Sequence, residues 1–242
     1  MERACYGVPG GDLVTPEEFA AKAGPRYKEQ GIRPYCEACG EQVEVWGLHS
    51  PNVVSRFDHR DLAADADPLD DCVLANRGRF RGLEPDGWDD ERGRIMRARF
   101  FEDENLQAAY SFCLHMCGQG NLPAAAFLSM VARADRKRVW SYVDIPLWTI
   151  PYILLTLENF TGRARQTGNP FGFHFLFGKP RGTKASALWD GGQECTIRKV
   201  FSRDGELVRG GENPFPVSDE AFKRKAGDPG WVKGALLRSL RG

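Results

Sequence analysis

Hydrophobic residues recur along this chain at two spacings, and each spacing predicts one kind of secondary structure. Between Asn105 and Cys117 they return every three or four positions, which is the repeat of a helix with one buried face. A helix start is also marked by Thr15 as a cap, Pro16 at the first position and acidic residues after it, and this helix is expected to end near Lys22. Similar patterns predict further helices over residues 122–134, 145–160 and 231–240, and a short helix that starts at Ser218.

Strict alternation of hydrophobic and polar residues predicts the strands. Phenylalanine occupies every second position from Phe171 to Phe177, so this predicted strand has one fully aromatic face. That face is either part of the protein core or a surface on which nucleic-acid bases could stack. Other strands are predicted over residues 43–46, 53–57 and 195–201. The fold class is therefore expected to be α+β.

The composition is that of an ordinary soluble protein, with 42% hydrophobic and 27% charged residues in a chain of 242. Residues 1–5 lack the apolar segment of a secretory signal. The longest apolar run, residues 145–157, contains two prolines and is too short to span a bilayer. We therefore expect a cytoplasmic protein without a membrane partner. In such a reducing compartment, neighbouring cysteines favour a metal site over a disulfide.

The most specific motif in the sequence is a pair of cysteines, Cys36 and Cys39, followed by a histidine and a third cysteine. Two thiols separated by two residues and followed by Gly40 can turn both sulfur atoms toward one ion. Zn²⁺ prefers four such ligands, and a site with four protein ligands is structural because no coordination position stays open. The sequence therefore predicts a structural Zn²⁺ site formed by Cys36, Cys39, His59 and Cys72.

Two alternatives to this interpretation remain open. His49 lies ten residues after Cys39 and could replace Cys72 as the fourth ligand. Cys36 and Cys39 could instead be a redox pair or plain small residues.

The zinc segment resembles the N-terminal zinc ribbon of the competence protein CoiA family. The likeness rests on a Cys-x-x-Cys-Gly knuckle at residues 36–40, a short predicted hairpin and a Phe-x-His step at residues 57–59, and it covers about 40 of the 242 residues. It implies a zinc ribbon and an association with the processing of incoming DNA. Full-length members carry a nuclease-like domain after the ribbon. The pattern of acidic residues of that domain is not found beyond Ala75, so the resemblance carries over no catalytic residues.

These features divide the chain into four predicted parts. A helical lead-in is expected over residues 1–33, the zinc ribbon over 34–76, and a connector with a short helix near 90–96 over 77–103. Residues 104–242 are expected to form a mainly helical middle and a mixed α/β C-terminal part with a basic surface. Four acidic residues within 63–71 predict a solvated loop in the ribbon.

The net charge is zero, but the two halves of the chain differ. Residues 1–132 contain 14 Lys and Arg against 22 Asp and Glu, whereas residues 133–242 contain 19 against 11. A basic half favours an anionic partner, most often nucleic acid, although the halves could also neutralise each other. Cations that hold phosphates and rings that stack on bases are typical of such a surface. The candidate contacts are Arg136, Lys137, Arg138, Arg163, Arg165, Lys179, Arg181, Lys184 and Trp189.

Residues 113–117 contain two cysteines and a histidine but predict no second metal site. Cys113 and Cys117 share one face of the predicted helix, and His115 points away from that face. We therefore expect two buried thiols and an outward histidine.

No phosphate-binding loop, serine-hydrolase elbow or zinc-protease motif is present in the sequence, which favours a binding protein over an enzyme. The main hypothesis is a zinc-containing protein that binds DNA or RNA, as a non-catalytic subunit of a DNA-processing or antiviral-defence nucleoprotein complex with further protein partners. One alternative is a divergent metal-dependent nuclease related to the competence proteins. Another is a protein-interaction subunit or inhibitor whose acidic first half binds a basic partner.

Overall fold

The protein has a mixed α+β fold, as the sequence predicts. The computed structural model describes residues 1–37, 39–48, 50–59, 72, 85–118, 120–163, 170–178, 195–203, 206–207 and 214–241. The chain divides into two units, Met1–Phe80 and Arg81–Gly242. Among the described helices, none combines the length and the apolar character needed to cross a bilayer.

The first unit combines a three-stranded sheet, a helix and a hairpin. Its described elements are β1 (Ala4–Tyr6), β2 (Leu13–Val14), α1 (Pro16–Ala23), β3 (Pro34–Tyr35), β4 (Val43–Trp46) and β5 (Arg56–His59). The sheet is antiparallel with β1 between β2 and β3, and β4 pairs with β5. The sequence predicts none of the three sheet strands, because strands of two or three residues are too short to show an alternating pattern.

The core of the first unit is built around Phe19 of α1, which is fully buried. Its ring packs on those of Tyr6 and Tyr27 and lies 6.1 Å, edge-on, from the ring of Phe57 on β5. Val43 on β4 is buried as well. This packing holds the hairpin, which carries part of the metal centre described below.

The hairpin differs from the prediction in its second strand. β4 covers the expected residues, but β5 begins at Arg56 rather than at Val53. Val53 and Val54 are exposed. Their hydrophobic character favours a strand in the sequence, but the pairing with β4 starts three residues after Val53, at Arg56, and buries Phe57.

The second unit packs helices against one antiparallel sheet. Its described elements are α2 (Asp90–Phe100), α3 (Asp103–Cys117), α4 (Ala124–Arg136), α5 (Ile150–Thr156), β6 (Phe160–Arg163), β7 (Pro170–Gly178), β8 (Thr196–Arg203), β9 (Glu206–Leu207), β10 (Phe215–Pro216), α6 (Asp219–Ala226) and α7 (Ala235–Ser239). The strand order is β10-β8-β7-β6, and β9 also pairs with β8.

The extents of three helices differ from the predicted ones by more than two residues at one end or both. The helix expected over 145–160 is reduced to a 3₁₀ turn at Leu147–Thr149 and α5, which has Pro151 in its first turn, and Phe160 already belongs to β6. The helix expected over 231–240 is shortened to α7, because Gly234 before it has a positive φ of 59°. By contrast, α2 is longer than predicted, because it continues to Phe100 beyond the short helix expected near 90–96.

The aromatic face of β7 belongs to the core of the second unit. Phe173 and Phe175 are buried, and Phe171 and Phe177 pack against the same cluster. Of the two interpretations of this strand, the structure therefore supports the core. The face also encloses a cation: Lys199 of β8 is buried, with its Nζ atom 4.2 Å from the centre of the Phe173 ring.

Candidate metal centre

The structure brings together the side chains of four residues that could hold a metal ion: Cys36, Cys39, His59 and Cys72. Their ligand atoms all lie within 4.8 Å of one another. The Sγ atoms of Cys36 and Cys72 are 3.7 Å apart, and Cys39 Sγ is 3.4 Å from His59 Nε2. In a tetrahedral zinc site with Zn–S of about 2.3 Å and Zn–N of about 2.0 Å, the S–S edge is about 3.8 Å and the S–N edge about 3.5 Å. The two observed distances are thus close to the edges of a zinc tetrahedron.

Short-range hydrogen bonds shape the turn that carries the first two cysteines. The Cys36 amide donates to the Glu41 carbonyl at 2.8 Å, and the Gly40 amide donates to the Cys36 carbonyl at 2.9 Å. Gly40 has a φ of 71°, a conformation that favours glycine. Tyr35 and Gln42 form a β-bridge that closes the turn. Both thiols therefore project from one tight knuckle.

The register of the hairpin brings the histidine to this knuckle. Val43 pairs with His59. Val43 directly follows Gln42, which is bridged to Tyr35, the residue before Cys36. His59 therefore lies beside the knuckle, and Cys72 completes the cluster.

The orientation of His59 suits coordination through one ring nitrogen. Nε2 faces the Cys39 sulfur, whereas Nδ1 is buried and has no hydrogen-bond partner among the described residues. Three sulfur atoms and one imidazole nitrogen form a soft donor set, which favours Zn²⁺ over the oxygen-seeking ions Mg²⁺ and Ca²⁺.

The close approach of the four groups changes their protonation in the metal-free protein. Hydrogen bonds from Cys39 and Cys72 lower the pKa of Cys36, and the hydrogen bonds to Cys36 and Cys72 raise the pKa of Cys39. Burial on its own would lower the pKa of His59, but its hydrogen bonds to Cys36 and Cys72 and their charges raise that pKa to about 10. These shifts favour a thiolate at Cys36 beside a protonated His59, and coordination of Zn²⁺ by His59 would require the loss of that proton.

His49 lies outside the described residues, whereas Cys72 is one of the four that the structure brings together. The zinc content of a Cys72→Ser variant would distinguish Cys72 from His49 as the fourth ligand. The predicted acidic loop at 63–71 also lies outside the described residues.

Four of the nine predicted nucleic-acid contacts belong to the described residues: Arg136, Lys137, Arg138 and Arg163. Arg138 forms an ion pair with Asp90 at 2.9 Å and lies over the ring of Trp88. Arg163 is exposed and lines a groove of about 730 Å³ between β6 and the start of α4. The other five predicted contacts lie outside the described residues: Arg165, Lys179, Arg181, Lys184 and Trp189.

The structure adds cations that the sequence analysis does not single out. Arg97 of α2 forms an ion pair with Asp135, next to the basic run 136–138. Hydrogen bonds from Arg138 and Ser141 lower the pKa of Asp90, and the charge of Arg94 contributes to that shift. A fold that packs α2 beside the end of α4 thus places arginines and aspartates from distant stretches side by side. Part of the charge of the basic run is neutralised in this way.

Cys113 and Cys117 are buried, as expected, and His115 lies on another face of the helix. This histidine is not free in solvent, however. Cys113 and Cys117 are fully buried, and burial raises the pKa of both thiols. His115 is half-buried, and its Nδ1 lies 2.9 Å from the carbonyl of Lys225.

Comparisons with models of protein families, with curated proteins and with solved structures found no match for this chain. They neither support nor contradict the resemblance of the zinc segment to the CoiA family. The candidate centre is therefore interpreted from its own chemistry: three thiols and an imidazole at the spacing of a metal site.

Proposed function

We propose that this chain is a zinc-containing nucleic-acid-binding protein. In this proposal Zn²⁺ bound by Cys36, Cys39, His59 and Cys72 stabilises the first unit, and the second unit contacts nucleic acid. The observation that carries the zinc assignment is the convergence of the four ligand atoms within 4.8 Å. Four protein ligands leave no open coordination position, so the role of the ion is structural rather than catalytic.

The short elements of the first unit make a structural ion physically reasonable. All five of its described strands have two to four residues, around a single eight-residue helix, and such a small core gains little from hydrophobic burial alone. Binding of zinc to a folded site that the unfolded chain lacks adds directly to the folding free energy.

Metal analysis of the purified protein tests the zinc assignment. We expect about one zinc ion per chain, removed by a strong chelator together with a loss of structure in the first unit. Absence of zinc from protein purified without chelator, and no uptake on titration, would contradict it.

The charge distribution supports the nucleic-acid part of the proposal. The excess of cations after residue 132 suits phosphate binding, which releases counterions and therefore weakens steeply as salt rises. Binding of single-stranded and duplex oligonucleotides, measured at several salt concentrations, tests it. Lack of retention of either form at low salt would exclude direct nucleic-acid binding.

We further propose that the protein acts as a non-catalytic subunit of a DNA-processing or defence nucleoprotein complex. The acidic first half suits a basic protein partner, and the zinc segment resembles a family associated with incoming DNA. Stoichiometric co-purification of a partner protein, resistant to nuclease treatment, would support this role. A metal-dependent cleavage assay separates it from a nuclease, because a cleaved product would require catalysis.

A further inference from the structure

One face of α3 is polar at every fourth residue, and this face binds the C-terminal layer, which we define as residues 219–241. Residues four apart lie on the same side of a helix. The C-terminal layer therefore runs antiparallel to α3 and contacts this helix with one side. The contacts are Asp103 with the Arg241 side chain, Gln107 Nε2 to the Val232 carbonyl (2.7 Å), Ser111 Oγ to the Ala226 carbonyl (2.7 Å) and His115 Nδ1 to the Lys225 carbonyl (2.9 Å).

The C-terminal layer carries exposed basic residues. Arg224, Lys233 and Arg238 are exposed, and within the described ranges none of the three forms an ion pair. Two neighbours, Lys223 and Arg241, are paired with carboxylates instead. The layer contains six Lys and Arg against three Asp and Glu, so its positive charge is not balanced by its own acids.

An aromatic ring is fixed on the same layer. Trp231 is 44% exposed, and its ring centre lies 6.1 Å from that of Tyr110 on α3. Its neighbour Val232 is fully buried and accepts the hydrogen bond from Gln107, so the backbone at this point is anchored. An exposed ring on an anchored backbone can stack on a base at little cost in conformational entropy.

The basic run predicted from the sequence is less suited to the same task. Arg138 is paired with Asp90, and Asp135, which precedes the run, is bonded to Arg97. A phosphate approaching that surface also meets these carboxylates, whereas Arg224, Lys233 and Arg238 hold no carboxylate among the described residues.

We propose that the exposed surface of the C-terminal layer is the interface for single-stranded nucleic acid. Arg224, Lys233 and Arg238 contact backbone phosphates, and Trp231 stacks on an unpaired base. A duplex keeps its bases stacked inside, so this combination of cations and a ring favours a single strand. The inference rests on the nucleic-acid binding proposed above and names the surface and the form of nucleic acid.

The test uses the full-length, zinc-loaded protein and a labelled single-stranded oligonucleotide of mixed sequence, with binding followed by fluorescence anisotropy over a range of salt. Each phosphate contact on a single strand steepens the plot of log affinity against log salt, and three contacts together contribute about 2 units to the magnitude of its slope. The triple variant R224Q/K233Q/R238Q should therefore lose about 2 units of slope. The matched control K22Q/R26Q/K28Q changes the net charge equally in the first unit, at exposed positions, and should keep the slope.

The ring is tested separately. Trp231→Ala should weaken binding about 5- to 100-fold, and Trp231→Phe should recover most of that loss, since base stacking needs an aromatic face. Thermal melts of both variants show whether the second unit remains folded. Equal weakening by Trp231→Ala and Trp231→Phe would overturn the stacking role.

The remaining outcomes distinguish this inference from the broader proposal. Wild-type binding with an unchanged slope in R224Q/K233Q/R238Q, or an equal drop in the control, overturns the surface and leaves nucleic-acid binding intact. Tighter binding of duplex than of single strand overturns the choice of a single strand. No binding of wild type at low salt overturns both, and retention on phosphatidylserine vesicles in that case would assign the basic layer to a lipid surface instead.

Discussion

The Sγ atoms of Cys36 and Cys72 lie 3.7 Å apart, although 36 residues separate the two cysteines along the chain. Closing a loop of this length costs conformational entropy, and a hydrogen bond between two thiols is too weak to offset it. A metal ion bound by both sulfur atoms would offset that cost, because its binding free energy is available only to the folded chain.

Replacement of either cysteine should therefore abolish zinc binding. We expect Cys36→Ser and Cys72→Ser to lose the ion and to melt the first unit, seen as faster amide exchange in residues 1–59. Cys195→Ala serves as the control, since Cys195 is a buried thiol of the second unit outside the cluster. Full zinc content in Cys72→Ser would instead assign the fourth position to His49.

The metal-free first unit should be most stable near neutral pH. The raised pKa of His59, about 10, contributes stability that is present in full below the ordinary value and is lost as pH rises through about 10. The lowered pKa of Cys36 acts in the opposite sense, and its contribution is lost as pH falls below the ordinary thiol range. The raised pKa of Cys39 adds to the loss of stability above the ordinary thiol range. Thermal melts of chelator-treated protein across pH should show a maximum, and His59→Gln should reduce the alkaline loss. Stability that still rises above pH 9, roughly the ordinary pKa of a free thiol, would contradict this account.

Gly93→Ala should destabilise the second unit, although alanine is normally the better helix residue. A Cβ atom at position 93 would lie 2.3 Å from Ser141 Oγ and 2.9 Å from its Cα, so the backbone of the neighbouring turn would have to move. That turn also accepts the hydrogen bond from the Asp89 amide at 2.8 Å. We expect a loss of about 1–3 kcal/mol in the free energy of unfolding, measured by denaturant titration.

The control for this substitution lies on the same helix. Ala98→Gly, at an exposed position of α2, changes helix propensity without a packing partner and should cost about 1 kcal/mol. A gain in stability from Gly93→Ala would show that propensity outweighs the close approach of Ser141.

The buried Lys199 should tolerate loss of its charge better than loss of its volume. Its Nζ donates to the Cys117 carbonyl at 2.9 Å, and Asn121 Nδ2 donates to the same carbonyl at 3.1 Å. Lys199→Met keeps the stem against Phe173 and leaves that carbonyl bonded, so we expect a loss of less than about 1.5 kcal/mol. Lys199→Ala opens a cavity and should lose about 2–4 kcal/mol.

A double variant tests whether Lys199 and Asn121 act together on the Cys117 carbonyl. Lys199→Met combined with Asn121→Ala leaves the Cys117 carbonyl without either donor, and the pair should lose more stability than the sum of the single variants. Additive losses in chemical denaturation would show that the two side chains act independently.

Some parts of this structure can be predicted from the sequence alone, because they depend on residues that lie close together in the chain. Thr15 and Glu18 form a complete capping box at the start of α1, because both partners lie within one helical turn. The candidate ligands Cys36, Cys39, His59 and Cys72 were predicted from residue type and spacing, since few other arrangements use three thiols and a histidine in so short a stretch. The aromatic repeat of β7 likewise predicted its strand from the alternation of its own residues.

Tertiary structure decided what distant residues do to one another. Lys199 occupies an inward position of β8 that looks unfavourable in sequence, and it is accommodated because Cys117, 82 residues away, ends a helix beside it. Arg138 belongs to a basic run in sequence, but the fold pairs it with Asp90, 48 residues away, and so reduces its charge. Such pairings depend on which elements pack together, and the packing free energy is summed over the whole core rather than encoded in any one stretch. The sequence by itself thus determined the chemistry of the candidate metal centre, whereas only the tertiary structure decided which cations remain available on the surface.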